Sequence, residues 1–185
     1  MIITFFNKKG GVGKTSLAYN VARDLNFYLL SNDDSIIESS YENKAMIMEK
    51  IKLIKNQNVV YDLGGFVDMN IVDILKASDI IIVPTIADVN SLKRTINSVK
   101  ELQAFNKNII VVGNIIRGKQ LDFITKYIDI KFSIRESKIF QTSLIERKSI
   151  NEIVNESNLN AYRYRNIYKD YTNLLKHLKD LNNVI

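Results

Sequence analysis

Two lysines, Lys9 and Lys14, bracket the run Gly10-Gly11-Val12-Gly13, and two hydroxyl residues, Thr15 and Ser16, follow at once. The chemistry such a run supports is the capture of phosphate. Glycines let the backbone curl until successive N–H groups point at phosphate oxygens, and a helix starting at the end of the loop adds the partial positive charge of its N-terminus. In that arrangement Lys14 reaches the terminal phosphates and the Thr15 hydroxyl is placed to ligate Mg²⁺. A glycine turn with two solvated lysines is the plain alternative. The order of elements argues against it, because strand-like sequence precedes the run and a helical pattern (Leu17, Ala18, Val21, Ala22, Leu25) begins immediately after it.

Carboxylates stand where such a site needs them. Val59-Val60-Tyr61-Asp62-Leu63-Gly64-Gly65 is an apolar strand that ends in an acid followed by two glycines. Asp62 is expected to hold Mg²⁺ through a water, and the glycines to answer to the last phosphate through their backbone N–H groups. A further acidic run, Ser31-Asn32-Asp33-Asp34-Ser35, follows the second strand-like segment; an Asx-rich turn accounts for it equally well.

The elements that must position these groups are legible as an alternation. Short β-branched and aromatic runs at 2–6, 27–30, 59–61, 80–83, 109–112 and, more weakly, 131–134 read as buried strands. Helical periodicity fills the gaps, as in Val89, Leu92, Ile96, Val99 and Leu102. The expected fold class is α/β, a mainly parallel central sheet flanked by helices, with ligands outside the carboxyl ends of the strands. One Pro, seven Gly and no Gly/Ser-rich stretch leave no interdomain linker, so 1–185 is expected to form a single domain. An amphipathic helix is expected over about 160–182, its stripe (Tyr164, Ile167, Tyr168, Tyr171, Leu174, Leu175, Leu178, Leu181) packed on the core.

The second lysine makes the loop specific. Lys9-Gly10-Gly11-Val12-Gly13-Lys14-Thr15 resembles the deviant Walker A motif of the ParA and MinD family of P-loop ATPases, with Lys9 in the place of the family's signature lysine. The resemblance implies an ATP- and Mg²⁺-dependent enzyme, slow until assembled, in which two subunits sandwich two nucleotides and the signature lysine crosses to the partner's phosphates. It implies that Lys9, Gly10, Gly11, Val12, Gly13, Lys14, Thr15 and Ser16 bind nucleotide, and that Lys9 and Lys14 act in catalysis. The family's Asp-x-Asp-Pro-Gln aligns with Asn32 and Asp34, which makes Asp34 the acid that positions the attacking water and a water-mediated metal ligand. A register one residue on pairs Asp33 with Ser35 instead and removes that acid; Pro-Gln is absent in both. Pro84 resembles the family's strand-terminal proline. Asn114 resembles the asparagine that reads the adenine edge, an amide offering donor and acceptor together; a turn-forming Asn is the alternative.

The likeness extends from residue 2 to about residue 154 and is most like a short plasmid-type partition ATPase. It implies an ATP-dependent homodimer that binds DNA without sequence preference, a small centromere-binding partner of the ParB or ParG kind, and a cytoplasmic, nucleoid-associated location. Charge is compatible with this: residues 1–116 carry 13 basic and 12 acidic side chains, residues 117–185 carry 13 and 8. DNA-contact candidates are Arg117, Lys119, Arg135, Lys138, Arg147, Lys148, Arg163 and Arg165, against the reading that each is a solvated charge. A MinD-like ATPase acting at a membrane is the rival, weakened by a tail without bulky aromatics or dense basic charge. A binding module with little turnover and a small-molecule ligase on the same fold are the others. The absence of Cys excludes thiolate metal sites, iron–sulfur clusters and disulfides. Strand-like sequence from the first residues leaves no room for an expected leader, and no apolar run approaches the roughly 20 residues that span a bilayer.

Overall fold

Strand β1 (Ile2–Asn7) shows why these segments are apolar without interruption. The computed structural model, which describes residues 1–65, 67 and 69–183, buries both faces of the strand. Ile3 and Phe5 enter one core and Phe6 the other. The same alternation divides β4 (Val59–Gly64), with Val60 on one side and Val59, Tyr61 and Leu63 on the other, and β5 (Ile80–Thr85), with Ile80 and Ile82 opposed to Ile81 and Val83. Period-two geometry on a sheet covered twice demands apolar residues at every position. Each side chain fully removed from water contributes roughly 1.5–3 kcal/mol.

Among the described residues the sheet has seven strands in the order β3-β2-β4-β1-β5-β6-β7, all pairs parallel. The remaining strands are β2 (Tyr28–Ser31), β3 (Ala45–Ile47), β6 (Ile109–Ile116) and β7 (Phe132–Arg135). After β1 the chain builds one side of the sheet through β2, β3 and β4, then crosses to the other, so the carboxyl end of β1 lies at the switch point where α/β sheets bind ligands. The parallel fold class expected from sequence is thus found. Strand β3 was not expected: three residues, exposed Met46 among them, pair only with β2 at the sheet edge and leave no run long enough to recognise. Strands β4 and β6 run beyond the apolar segments that announce them, which sets Asp62 and Asn114 inside strands rather than after them.

Helices α1 (Lys14–Leu25), α6 (Ile139–Ile145), α7 (Ile150–Asn155) and α8 (Asn158–Asn182) cover one face, and α3 (Met69–Ala77) and α4 (Val89–Leu102) cover the other. Helix α1 stops at Asn26, which takes the left-handed conformation at φ 60° and turns its N–H back to the carbonyls of Ala22 and Arg23. Ser149 and Glu152 form a capping box on α7, and Ser157 caps α8. On α8, Ile167, Tyr171, Leu174, Leu175 and Leu178 are buried and Tyr164, Tyr168 and Leu181 pack against the same core. Among the described residues no helix is long and apolar enough to cross a membrane. Short α2 (Ile37–Ser40) and α5 (Gln120–Ile124) complete the connections.

Candidate functional site

The loop between β1 and α1 is pinned from below and bent by glycine. Asn7, buried at the end of β1, donates its amide to the Pro84 carbonyl (2.7 Å) and the Thr95 hydroxyl (3.0 Å), and its Oδ1 accepts the Lys9 N–H (2.9 Å). Gly11 and Gly13 sit at φ 77° and 76°, a region costly to residues bearing a Cβ. No side chain caps α1 and its first turn holds no acid, so the N–H groups that open the helix remain available to an anion. The result is a cavity of about 260 Å³ lined by residues 7–16 together with Asp33, Gly64 and Gly65.

Lys14, only 6% exposed, reaches along this cavity to Asp62, which is fully buried: Nζ lies 2.9 Å from Oδ1. The other oxygen of Asp62 accepts a 3.3 Å bond from the Ser31 hydroxyl, its register neighbour on β2. Asp33 stands on the open side, with Oδ2 3.7 Å from Lys14 Nζ. Lys9 lines the same cavity and makes no ion pair among the described residues, whereas Lys8 pairs with Glu101 at 2.5 Å. Thr15 and Ser16 open α1 at the cavity floor.

Asp33 lines the cavity and Asp34 does not, and both are exposed. Asn32 is occupied structurally: its Oδ1 accepts the Gly64 N–H (2.9 Å) and its amide donates to the Gly64 carbonyl (3.0 Å), so it clamps the β2 turn to the end of β4. Ser31, which bonds Asp62, and Asp33, which lines the cavity, are two polar positions separated by one residue, one residue before the Asn32 and Asp34 register and two before the Asp33 and Ser35 register. Strand β2 runs on to Ser31, one residue past the apolar segment from which the alignment is counted.

Strand β6 delivers Asn114, 3% exposed, to the other flank of the loop, where its amide donates to the Val12 carbonyl at 2.8 Å. One of the two amide hydrogens is thus directed to the loop backbone. Beside it a second cavity, of about 670 Å³, shares Gly11, Gly13 and Ser16 with the first and is walled by Asn114, Ile115, Arg135, Glu136, Ser137, Lys138, Phe140 and Gln141. Ile115, a β-branched residue at φ 57°, occupies a strained conformation worth roughly 1–2 kcal/mol.

Four of the basic residues nominated for DNA contact are ion-paired within the chain. Arg117 pairs with Glu136, Arg135 with Asp170 (2.6 Å), Arg147 with Glu42 (2.9 Å) and Lys148 with Glu156. Arg135 and Lys138 stand on the wall of the larger cavity. Lys119 precedes α5. Arg163 and Arg165 lie over Tyr164 and Tyr162, at 5.8 and 4.6 Å from the ring centroids. The partners come from 8 to 105 residues away, beyond what a charge count along the sequence reveals.

No family model and no curated protein matches the sequence. Solved structures do. MinD from Pyrococcus horikoshii OT3 complexed with Mg-ADP superposes at TM-score 0.69, with 13% identity over 100% of this chain and 98% of that one. A Borrelia burgdorferi B31 chain named as a plasmid partition protein and bound to AMPPNP gives 0.67 and 17% identity over 97% and 98%. A ParA family ATPase from Chlorobium tepidum TLS gives 0.64 and 18% identity over 95% and 98%. The chain has the fold of the MinD and ParA ATPases. Its glycine loop, the start of α1 and Asp62 lie toward the carboxyl ends of the strands, and the two cavities share Gly11, Gly13 and Ser16 in their linings.

Proposed function

We propose that this chain is a Mg²⁺-dependent ATPase of the ParA type, which dimerises on ATP, binds DNA without sequence preference and works with a small centromere-binding protein. The observation that carries the reading is the second lysine of the loop: Lys9 lines the phosphate cavity without an ion pair among the described residues, while Lys14 is held within it by Asp62. One lysine serves the chain's own nucleotide, and the other is free to serve the nucleotide of a second copy. The bound nucleotides of the MinD and Borrelia neighbours are compatible with ATP here.

The donor set fits magnesium. The Thr15 hydroxyl and the Asp62 carboxylate are hard oxygen donors flanking the loop, and among the described residues no group of three or more His, Cys, Asp or Glu forms a cage of its own. Mg²⁺ typically keeps waters and takes one or two protein ligands plus phosphate oxygens. When bound it supplies positive charge to the terminal phosphates. With nucleotide present Lys14 would turn from Asp62 to the phosphates, and the freed Asp62 carboxylate and the Thr15 hydroxyl would be the residues to hold the metal. The N–H groups of the loop and of the first turn of α1 orient the phosphate chain. Asp33, on the open side of the cavity, takes the role of orienting a water toward the last phosphate, and Asn32 couples its turn to Gly64.

A membrane-positioning role of the MinD kind is less well supported, because the apolar stripe of α8 is spent on the core; Val184 and Ile185 lie outside the described residues. The test is size-exclusion chromatography with and without ATP on wild type and Lys9→Ala. Wild type alone should shift to a dimer, and identical elution of the two proteins would remove the assignment of Lys9.

A further inference from the structure

We infer that Asn114 is a positioning residue of the phosphate loop: its buried carboxamide sets the direction of the Gly13 N–H and so acts on the phosphates of any nucleotide rather than on the base. The inference rests on the reading of the cavity as a triphosphate site.

The local geometry of β6 is built around this side chain. Between Gly113 and Ile116 the pairing with β7 slips, three steps on β6 matching two on β7, from Ser133 to Arg135. An extra residue in one strand re-aims the side chains beside it. Ile115 takes φ 57° to accommodate the insertion, a conformation that a β-branched residue seldom adopts unless its surroundings impose it. The gain is the placement of Asn114 against the loop, with Nδ2 2.8 Å from the Val12 carbonyl oxygen.

Gly13 fits this neighbour and no larger residue does: a Cβ there would lie 2.3 Å from Asn114 Nδ2. The consequence for phosphate follows from the planarity of the peptide. In a trans peptide the C=O of Val12 and the N–H of Gly13 point in opposite directions. A side chain that draws the carbonyl toward β6 therefore aims the N–H away from β6, and Gly13 makes no backbone donor bond of its own among the described residues. Gly13 lines both cavities, and the phosphate cavity is the one bounded by the loop and the start of α1, away from β6. The amide of Asn114 thus does for the peptide plane what glycine does for φ.

The test compares ATP with inorganic tripolyphosphate, each with Mg²⁺, by isothermal titration calorimetry on wild type, Asn114→Leu and Asn114→Ala. Leucine conserves volume and removes the donor; alanine guards against a packing failure in the first variant. Both ligands are expected to lose affinity by the same factor, roughly tenfold for one hydrogen bond withdrawn from a buried carbonyl. A loss confined to ATP would make Asn114 a base reader and overturn the inference, as would unchanged affinity for both. A wild-type chain that takes up neither ligand would overturn the triphosphate reading itself.

Discussion

The Lys14–Asp62 pair invites a double-mutant cycle in the nucleotide-free protein. Lys14 is 6% exposed, Asp62 is fully buried, and the atoms are 2.9 Å apart. Exposed ion pairs contribute about 0–1 kcal/mol, but truncating one member of a buried pair costs roughly 3–5 kcal/mol, because the survivor is left charged and out of water. Asp62→Leu leaves Lys14 with only Asp33 at 3.7 Å on the open side, which puts the expected loss near the lower end, about 3 kcal/mol. Lys14→Met leaves Asp62 with the Ser31 hydroxyl alone and should cost about the same. The double variant removes both charges and keeps the volume, so it should lie within about 1 kcal/mol of wild type, giving a coupling energy of several kcal/mol. Urea denaturation followed by circular dichroism measures all four proteins. Additive losses, with a coupling below about 0.5 kcal/mol, would show that the two groups do not meet in the folded chain and would remove the structural basis for Lys14 as a lysine held ready in the cavity.

Three further outcomes are expected. Gly13→Ala combines a left-handed φ of 76° with the 2.3 Å approach to Asn114, so it should lower stability by about 2 kcal/mol or more in denaturant melts and abolish ATP uptake in calorimetry. Asn26→Ala should cost about 1 kcal/mol and Asn26→Gly almost nothing, because only the left-handed φ of 60° at the end of α1 separates them; equal losses would assign the effect to the Lys44 contact instead. Asp24 accepts the Tyr171 hydroxyl at 2.7 Å, and burial pushes its carboxyl above the ordinary value of 3.8, against the bonds from Ser149 and Tyr171. A raised folded value means that this group favours folding below pH 3.8 and that the benefit is lost as pH rises through the folded value. Asp24→Asn should accordingly be more stable than wild type at pH 7, with the difference shrinking toward pH 4; a difference independent of pH would refute the assignment.

The sheet and the loop were legible because their causes are local. A strand buried on two faces must be apolar throughout, and a phosphate loop must place glycine where φ turns positive, so Ile2–Asn7 and residues 9–15 announce themselves. Strand β3 did not, since a three-residue edge strand has no periodicity to display. Which of Asp33 and Asp34 lines the cavity was not legible, because the count starts at the end of β2 and the strand runs one residue past its apolar segment. Asn7 gave no warning, and Asn32 stood out only as an aligned position: each acts through a side-chain bond to backbone, 77 and 32 residues distant respectively, and an Asn beside a turn is ordinary. The pairing of Arg117, Arg135, Arg147 and Lys148 with Glu136, Asp170, Glu42 and Glu156 was not legible in the sequence, because only the fold brings the partners together.

The measurement closest to the centre of this account is calorimetric titration of the purified chain with ATP, with Mg²⁺ and with EDTA, beside Lys14→Met as the control. The account predicts uptake that requires the metal and is lost in the variant. Binding of equal strength in wild type and Lys14→Met, or no uptake by wild type with Mg²⁺ present, would contradict it.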